Sequence, residues 1–173
     1  MFAELPACDV QRLQSVLDAA VRLVTNASRR DHITPLLRER HWLPIQQRID
    51  YKLCVMVHHC LHERATFYLL ELITPSAAAH SRARLRSAES RTVAVPRTLS
   101  SLGDRAFAVA APRTWNSLPF FIRSVDTVDC FKKNLESYLS NVAFKSWYFA
   151  YIVFTAVLTV WRLCCVFISL TAP

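Results

Sequence analysis

The sequence predicts a mainly α-helical protein: a small helical bundle with a short β-hairpin and a hydrophobic C-terminal helix. Three observations favour this class. The chain has one glycine in 173 residues, far below the usual share of about 7%, which leaves few of the tight turns that a β-sandwich or barrel needs. Prolines stand at the boundaries of apolar stretches with helical periodicity. Hydrophobic residues make up 53% and charged residues 20% of the chain, so disorder is excluded as a global description.

The first and clearest helix begins near Asp9, which is the expected N-cap. Its apolar side chains follow a seven-residue a/d pattern formed by Val10, Leu13, Leu17, Ala20 and Val24. The pattern covers only about two repeats, so it predicts a core-facing helix and not an extended coiled coil. We expect Asn26 and Ser28 to end the helix.

Prolines mark the next helices. Thr34 is expected to cap a short helix with Pro35 at its first position, and Pro44 opens a third helix in the same way. One stripe of this third helix contains Ile45, Ile49, Leu53, Met56 and Cys60. Residues 67–75, FYLLELITP, predict a further short apolar helix that ends before Pro75.

The remaining chain divides by composition. Residues 76–91 are small, polar and basic, as in a linker or mobile loop. Residues 92–96 (TVAVP) and 105–112 (RAFAVAAP) predict two strands joined by a turn at Gly103. A last amphipathic helix follows Thr127, with Val128, Phe131, Leu135 and Tyr138 on one face. We therefore divide the chain into a helical region 1–75, a basic linker 76–91, a hairpin-plus-helix region 92–141 and a hydrophobic tail 142–173.

The positive charge is concentrated in the middle of the chain. The net charge is +8, and residues 76–115 contain seven arginines against Glu89 and Asp104. This predicts an anionic partner, either nucleic acid or an anionic membrane surface, with a solvated basic face as the alternative. The candidate nucleic-acid-binding residues are Arg82, Arg84, Arg86, Arg91, Arg97, Arg105 and Arg113. Phe107 and Trp115, close to the last two, would either stack on unpaired bases or belong to the core.

No catalytic motif is recognisable. One glycine cannot build a glycine-rich phosphate loop, and no two aspartates are adjacent. Cys54, His58 and His62 share a helical face that could chelate a metal, but paired CxxC spacing is missing, which favours a helix surface with surplus histidines. We predict no catalytic residue, no metal, no cofactor and no small-molecule substrate.

The cysteines and the N-terminus indicate an intracellular protein. Six cysteines show no regular framework spacing, and the first residues contain no apolar signal-peptide core. We expect free thiols in a reducing compartment, the cytoplasm or the nucleus.

The C-terminal stretch 146–170 allows a second interpretation. It contains no charged residue from Ser146 to Trp161, and as a helix residues 147–170 would span about 36 Å against a bilayer core of about 30 Å. Arg162 costs up to about 3 kcal/mol against that insertion. The stretch predicts either a single-pass tail anchor, with residues 1–145 in the cytosol, or a buried or frayed C-terminal helix.

Several motifs resemble one family. GDRAFAVAAPRTWNSLPFFIR, residues 103–123, closely resembles the carboxyl-terminal region of non-LTR (LINE-type) retrotransposon reverse transcriptases. Residues 11–53, which include QRLQSVLDAAVRLV and DHITPLLRERHWLP, and residues 129–139, DCFKKNLESYL, are similar to flanking parts of that region, in the same order. The resemblance covers about three quarters of the chain.

The resemblance implies a helical, thumb-like region that follows the polymerase fingers and palm and helps to hold template RNA and primer. The family's metal-binding aspartates and its endonuclease match no position here. LHERAT, residues 61–66, departs from the family's LHGLAP, and the tail has no counterpart. We therefore expect a non-catalytic fragment with residual RNA binding through the arginine-rich middle; a tail-anchored membrane protein or a helical interaction module of unknown role are the alternatives.

Overall fold

A computed structural model describes residue 3, residues 5–76 and residues 90–144. The predicted mainly helical class is confirmed. The described residues form eight helices: α1 (Ala7–Thr25), α2 (Ile33–Glu39), α3 (Ile45–Leu61), α4 (Phe67–Leu70), α5 (Ser101–Asp104), α6 (Phe107–Ser117), α7 (Phe120–Arg123) and α8 (128–144).

The main core lies where α3, α6 and α8 meet. Val57 of α3, Trp115 of α6 and Phe131 of α8 are each at most 1% exposed. Aliphatic side chains from the same three helices complete this cluster, among them Leu53, Leu135 and Leu139. Regions 1–75 and 92–141 therefore share one core, although the sequence places the basic linker between them.

A smaller core joins the N-terminal helices to the end of α8. Leu17 and Val21 of α1, Leu37 of α2 and Phe144 of α8 are buried together. Trp42 packs against this second cluster from the turn before α3. The cluster fixes α1 and α2 to the rest of the protein.

The predicted contact face of α1 is partly wrong. Val24 is 58% and Leu13 38% exposed, whereas Leu17 and Val21 are buried. Leu17 and Val21 pack against Leu37 of α2 and Phe144 of α8, so the contact face of α1 differs from the a/d stripe. The Gln14 side-chain carbonyl also accepts a hydrogen bond from the backbone N–H of Ile45 at 2.9 Å.

The expected ends of α1 are half right. The helix begins with Pro6, not Asp9, at the N-cap position, and it ends as predicted at Asn26, whose φ of 52° is left-handed. Asparagine tolerates this conformation better than most residues, which is why it commonly terminates helices.

Helices α2 to α4 also differ in detail from the expectation. His32 occupies the N-cap position of α2 in place of Thr34. Helix α3 begins directly after Pro44 as predicted, but its buried face is formed by Leu53, Cys54, Val57, His58 and Cys60. Ile45, Ile49 and Met56 are only half-buried. Helix α4 has four residues, far fewer than the predicted apolar stretch.

The predicted β-hairpin is wrong. Residues 107–117 form helix α6. This helix includes most of the predicted returning strand, residues 105–112. Alanine is the strongest helix former, and Ala110 and Ala111 are buried against α3, so packing offsets the cost of Pro112 inside the helix. Within the described residues, β-pairing is limited to one antiparallel bridge between Pro75 and Val93.

That bridge fixes the two ends of the basic linker beside each other. The backbone N–H of Ser76 donates to the Thr92 carbonyl at 2.9 Å, and that of Ala94 donates to the Thr74 carbonyl at 2.9 Å. The chain therefore leaves and re-enters the bundle at nearly the same place.

Gly103 does not have the predicted role of a flexible turn. It lies inside the short helix α5, and its N–H donates to Ser100 Oγ at 3.2 Å. A Cβ at this position would lie 3.1 Å from Thr98 Cγ2. The residue therefore permits a close approach of Thr98 and does not supply a left-handed backbone conformation.

Helix α8 agrees with the sequence. Phe131 and Leu135 are completely buried and Tyr138 packs against the main core. The backbone N–H of Phe131 donates to the Thr127 carbonyl at 2.9 Å, so Thr127 begins the helix as expected.

Candidate nucleic-acid interface

The predicted arginines fall into three groups in the structure. Arg82, Arg84 and Arg86 lie outside the described residues, so their assignment stays a prediction. Arg91 and Arg113 form ion pairs with carboxylates. Arg97 is exposed and Arg105 half-exposed, and neither makes an ion pair with any described residue.

Arg91 is held by contacts from two sides. Its φ is 50°, and its carbonyl accepts a hydrogen bond from the Trp115 indole at 2.8 Å. Its guanidinium donates to Asp126, 35 positions further along the chain. This bond lowers the pKa of the Asp126 carboxyl. Arg91 therefore links the linker end to the turn between α7 and α8.

Arg113 belongs to a second local network. It contacts the Asp104 carboxylate at 3.0 Å, and the Thr98 hydroxyl donates to the same oxygen. The Thr98 hydrogen bond, followed by that of Arg113, lowers the pKa of Asp104. The network ties α5 to α6, so part of the positive charge of Arg113 is already balanced inside the protein.

Arg123, which is not among the seven candidates, also has a structural role. Its Nε donates to the Leu118 carbonyl at 3.0 Å and its Nη1 to the Ser90 carbonyl at 2.6 Å. Burial lowers the pKa of this guanidinium. These bonds fasten α7 to the end of the linker at Ser90, directly before the segment that begins at Thr92.

Asn116 completes the fastening of that segment. Its side-chain oxygen accepts the Val93 N–H at 2.9 Å, and its side-chain NH₂ donates to the Val93 carbonyl at 2.8 Å. One asparagine thus satisfies both backbone groups of a residue that is 2% exposed, as a neighbouring strand would.

A cavity of about 330 Å³ opens beside these contacts. Its polar wall contains His62 at the end of α3, together with Arg91, Arg123 and Asp126, and its apolar wall includes Leu61, Pro75 and Trp115. We call this space the arginine pocket. Its side chains come from positions 61 to 126, so no local sequence pattern predicts that they line one space.

The predicted face of Cys54, His58 and His62 is mostly interior. The His58 ring is 1% exposed, stacks on Phe131 with centroids 4.3 Å apart and shares a hydrogen bond with the Val125 carbonyl through Nε2 at 2.9 Å. Desolvation lowers the pKa of His58 to about 4, and burial raises that of Cys54. The residues described here contain no cluster of three or more metal-ligating side chains.

The two aromatic side chains considered for base stacking lie in the core, and two others are exposed. Trp115 is 1% exposed and Phe107 packs on the main core, so the core alternative is correct for both. Phe120 and Phe121 of α7 are instead 54% and 63% exposed. The sequence does not predict that both rings are exposed, because helical neighbours lie about 100° apart and one of the two would be expected to face the core.

The four cysteines in the described ranges are free thiols: Cys8, Cys54, Cys60 and Cys130. Of the helices in the described ranges, none is both long and apolar enough to cross a bilayer. The predicted anchor, residues 146–170, lies outside those ranges.

No protein-family model, no curated protein and no solved structure matches this chain.

Proposed function

We propose that the chain is a non-catalytic fragment of a non-LTR retrotransposon reverse transcriptase, derived from the helical region after the palm, and that it binds single-stranded RNA weakly. The observation that carries the proposal is the ordered set of motifs between Gln11 and Leu139. The origin and the RNA binding are separate claims, and they need separate tests.

The polar residues of the motif 103–123 stabilise one local structure. Asp104 binds Arg113, and Asn116 binds the Val93 backbone. Arg123 binds two carbonyls. The motif therefore forms a folded segment, as an origin in a folded domain requires.

Among the candidate arginines in the described residues, Arg97 and Arg105 have no acidic partner, and we assign RNA binding first to these two, which flank α5. Arg82, Arg84 and Arg86 precede them in the sequence and remain candidates by their charge alone. The exposed rings of Phe120 and Phe121 provide flat apolar surfaces on which unpaired bases stack. Arg91 and Arg113 contribute less to RNA binding, because each pairs with a carboxylate that competes with a backbone phosphate.

The RNA claim is tested by salt dependence. For single strands, the logarithm of the binding constant falls with the logarithm of salt concentration by about 0.7 for each neutralised phosphate. Replacing Arg97 and Arg105 by alanine should therefore reduce the slope by about 1.4, and replacing Arg82, Arg84 and Arg86 by about 2.1. Fluorescence anisotropy of a labelled single-stranded RNA gives these slopes.

The matched control removes the same charge elsewhere. Arg29 and Arg30 are both exposed in the turn between α1 and α2, and their double alanine variant should leave the slope nearly unchanged. An equal loss in the control would reduce RNA binding to an effect of net charge. Absence of RNA retention by the wild type at low salt would remove the activity altogether.

The absence of polymerase activity is part of the proposal. The family's palm aspartates match no position in this chain, so we expect no template-dependent DNA synthesis by the purified protein with magnesium or manganese. Template-dependent incorporation of nucleotides would contradict the assignment as a catalytically empty fragment.

The tail supports a second candidate function, a membrane anchor. Between residues 147 and 170, twelve residues are Leu, Ile, Val or Phe and the only charge is Arg162. If the tail inserts, the protein will remain in the membrane pellet after alkaline carbonate extraction, and a chain ending at residue 145 will not. Recovery of the full chain in the supernatant would exclude the anchor.

A further inference from the structure

The arginine pocket combines an apolar wall with a concentrated positive charge. Arg91 and Arg123 line the same cavity as the carboxylate of Asp126, and the His62 imidazole lies in the same wall. The two guanidinium groups and the one carboxylate carry a net charge of +1. Such a partly enclosed site raises the local concentration of small anions.

Arg123 is fixed in place before any ligand arrives. Two of its five N–H groups are used by the carbonyls of Leu118 and Ser90, which hold the guanidinium in one orientation. Within the described residues, its Nη2 has no hydrogen-bond acceptor. A guanidinium that is both positioned and partly desolvated binds an oxyanion without first losing side-chain freedom.

Arg91 already binds an oxyanion in this pocket, namely the Asp126 carboxylate. The Asp126 side chain is 68% exposed and that of Arg91 41% exposed, so the pair is screened by solvent and contributes little stability. Asp126 can therefore rotate into water and leave Arg91 to another anion. The carboxylate acts as an internal competitor for the ligand position.

We propose that the arginine pocket binds the phosphate group of a phosphomonoester. Two guanidinium groups match the several oxygens of a phosphate better than they match one carboxylate. The net positive charge of the pocket favours an anion of this kind. A volume of about 330 Å³ is at the lower end of small-ligand sites, which suits a phosphate with one attached group. The phosphate belongs either to a small metabolite or to the end of a polynucleotide. This inference requires neither the retrotransposon origin nor binding of RNA by Arg97 and Arg105.

The test uses the full chain and three variants that act in opposite directions. Binding of inorganic phosphate and of a nucleoside 5′-monophosphate is followed by NMR shifts of the His62 ring and the Arg123 Nε–H group. Asp126→Asn removes the competing charge and should tighten binding several-fold, an effect that a purely structural Arg91–Asp126 pair does not produce. Arg91→Gln and His62→Gln should weaken binding, the former by about tenfold or more. Arg12→Gln is the charge-matched control, because Arg12 is exposed on α1.

A pair of RNA oligomers separates the two sources of phosphate. Shifts by the mononucleotide and by a 5′-phosphorylated oligomer, but not by its 5′-hydroxyl counterpart, support the site for both sources. Shifts by the mononucleotide alone support a small metabolite, and shifts by the 5′-phosphorylated oligomer alone support a polynucleotide end. Equal shifts by both oligomers overturn the phosphomonoester assignment. The site itself is overturned if neither the wild type nor Asp126→Asn shows saturable shifts. It is also overturned if Arg91→Gln and Arg12→Gln bind equally well. Both conclusions hold whatever the salt experiment on RNA shows.

Discussion

Replacing Asn116 by alanine tests how the segment after the linker is held. The change removes both hydrogen bonds to the Val93 backbone, and Val93 is 2% exposed, so its N–H and carbonyl lose the partner that they have among the described residues. A buried polar group left without a partner costs about 1–3 kcal/mol. Two such groups, with some relief from water entering the space of the lost side chain, give an expected loss of about 3 kcal/mol.

Urea denaturation followed by circular dichroism measures this loss. For a chain of this size, about 3 kcal/mol corresponds to a fall in Tm of about 6–12 °C, and the m-value should stay constant if the denatured state is unchanged. Asn116→Asp keeps the acceptor for the Val93 N–H but cannot donate to the Val93 carbonyl. We expect this variant to be destabilised as well, despite its nearly identical shape.

The control is Asn141→Ala on the exposed side of α8, where the expected change is within about 0.5 kcal/mol. Equal stability of the Asn116 and Asn141 variants would refute the reasoning. It would mean that Val93 is held by the bridge to Pro75 and by its own burial, and that the asparagine is dispensable.

The other predictions concern the core, a buried histidine and the exposed rings. The pKa of His58 falls from 6.5 in the unfolded chain to about 4 in the folded protein. The free energy of unfolding is therefore highest above pH 6.5 and falls by about 3 kcal/mol as the pH drops toward 4. His58→Phe should make the free energy of unfolding less dependent on pH between 4 and 6.5, and an unchanged dependence would contradict the prediction. Leu135→Ala should lower the free energy of unfolding by about 2–5 kcal/mol, because Leu135 is completely buried. Leu99→Ala should change it little, because the Leu99 side chain is fully exposed. Similar urea midpoints for the two variants would disprove the assigned core. Alanine at Phe120 and at Phe121 should each weaken RNA binding by about 1–3 kcal/mol without lowering Tm, and an unaltered Kd would remove stacking from the proposal.

The helices that could be predicted are those with long apolar periodicity. The starts of α3 and α8 follow from Pro44 and Thr127, and both agree with the structure. The hairpin could not be excluded from the sequence, because residues 92–96 and 105–112 each have apolar side chains at alternate positions and end at a proline. Only the contact of Ala110 and Ala111 with α3 decides for a helix there, and that contact is remote in sequence.

The site was less predictable than the fold for a similar reason. A run of arginines indicates positive charge but not which of them face acids. The partner of Arg91 is 35 positions away, and no local pattern connects them. In the same way, α1 buries Leu17 and Val21 against Leu37 and Phe144, and an a/d count along one helix cannot reveal these partners.

The single bridge between Pro75 and Val93 has a practical consequence for engineering. Because the chain departs and returns at neighbouring points, extra residues placed between them close a loop whose ends are already together, and each doubling of its length costs only about 0.6 kcal/mol. A reporter domain with adjacent termini could be inserted there while the three-helix core stays assembled. The basic stretch is thus the natural place to attach a fluorophore or an affinity handle to this protein.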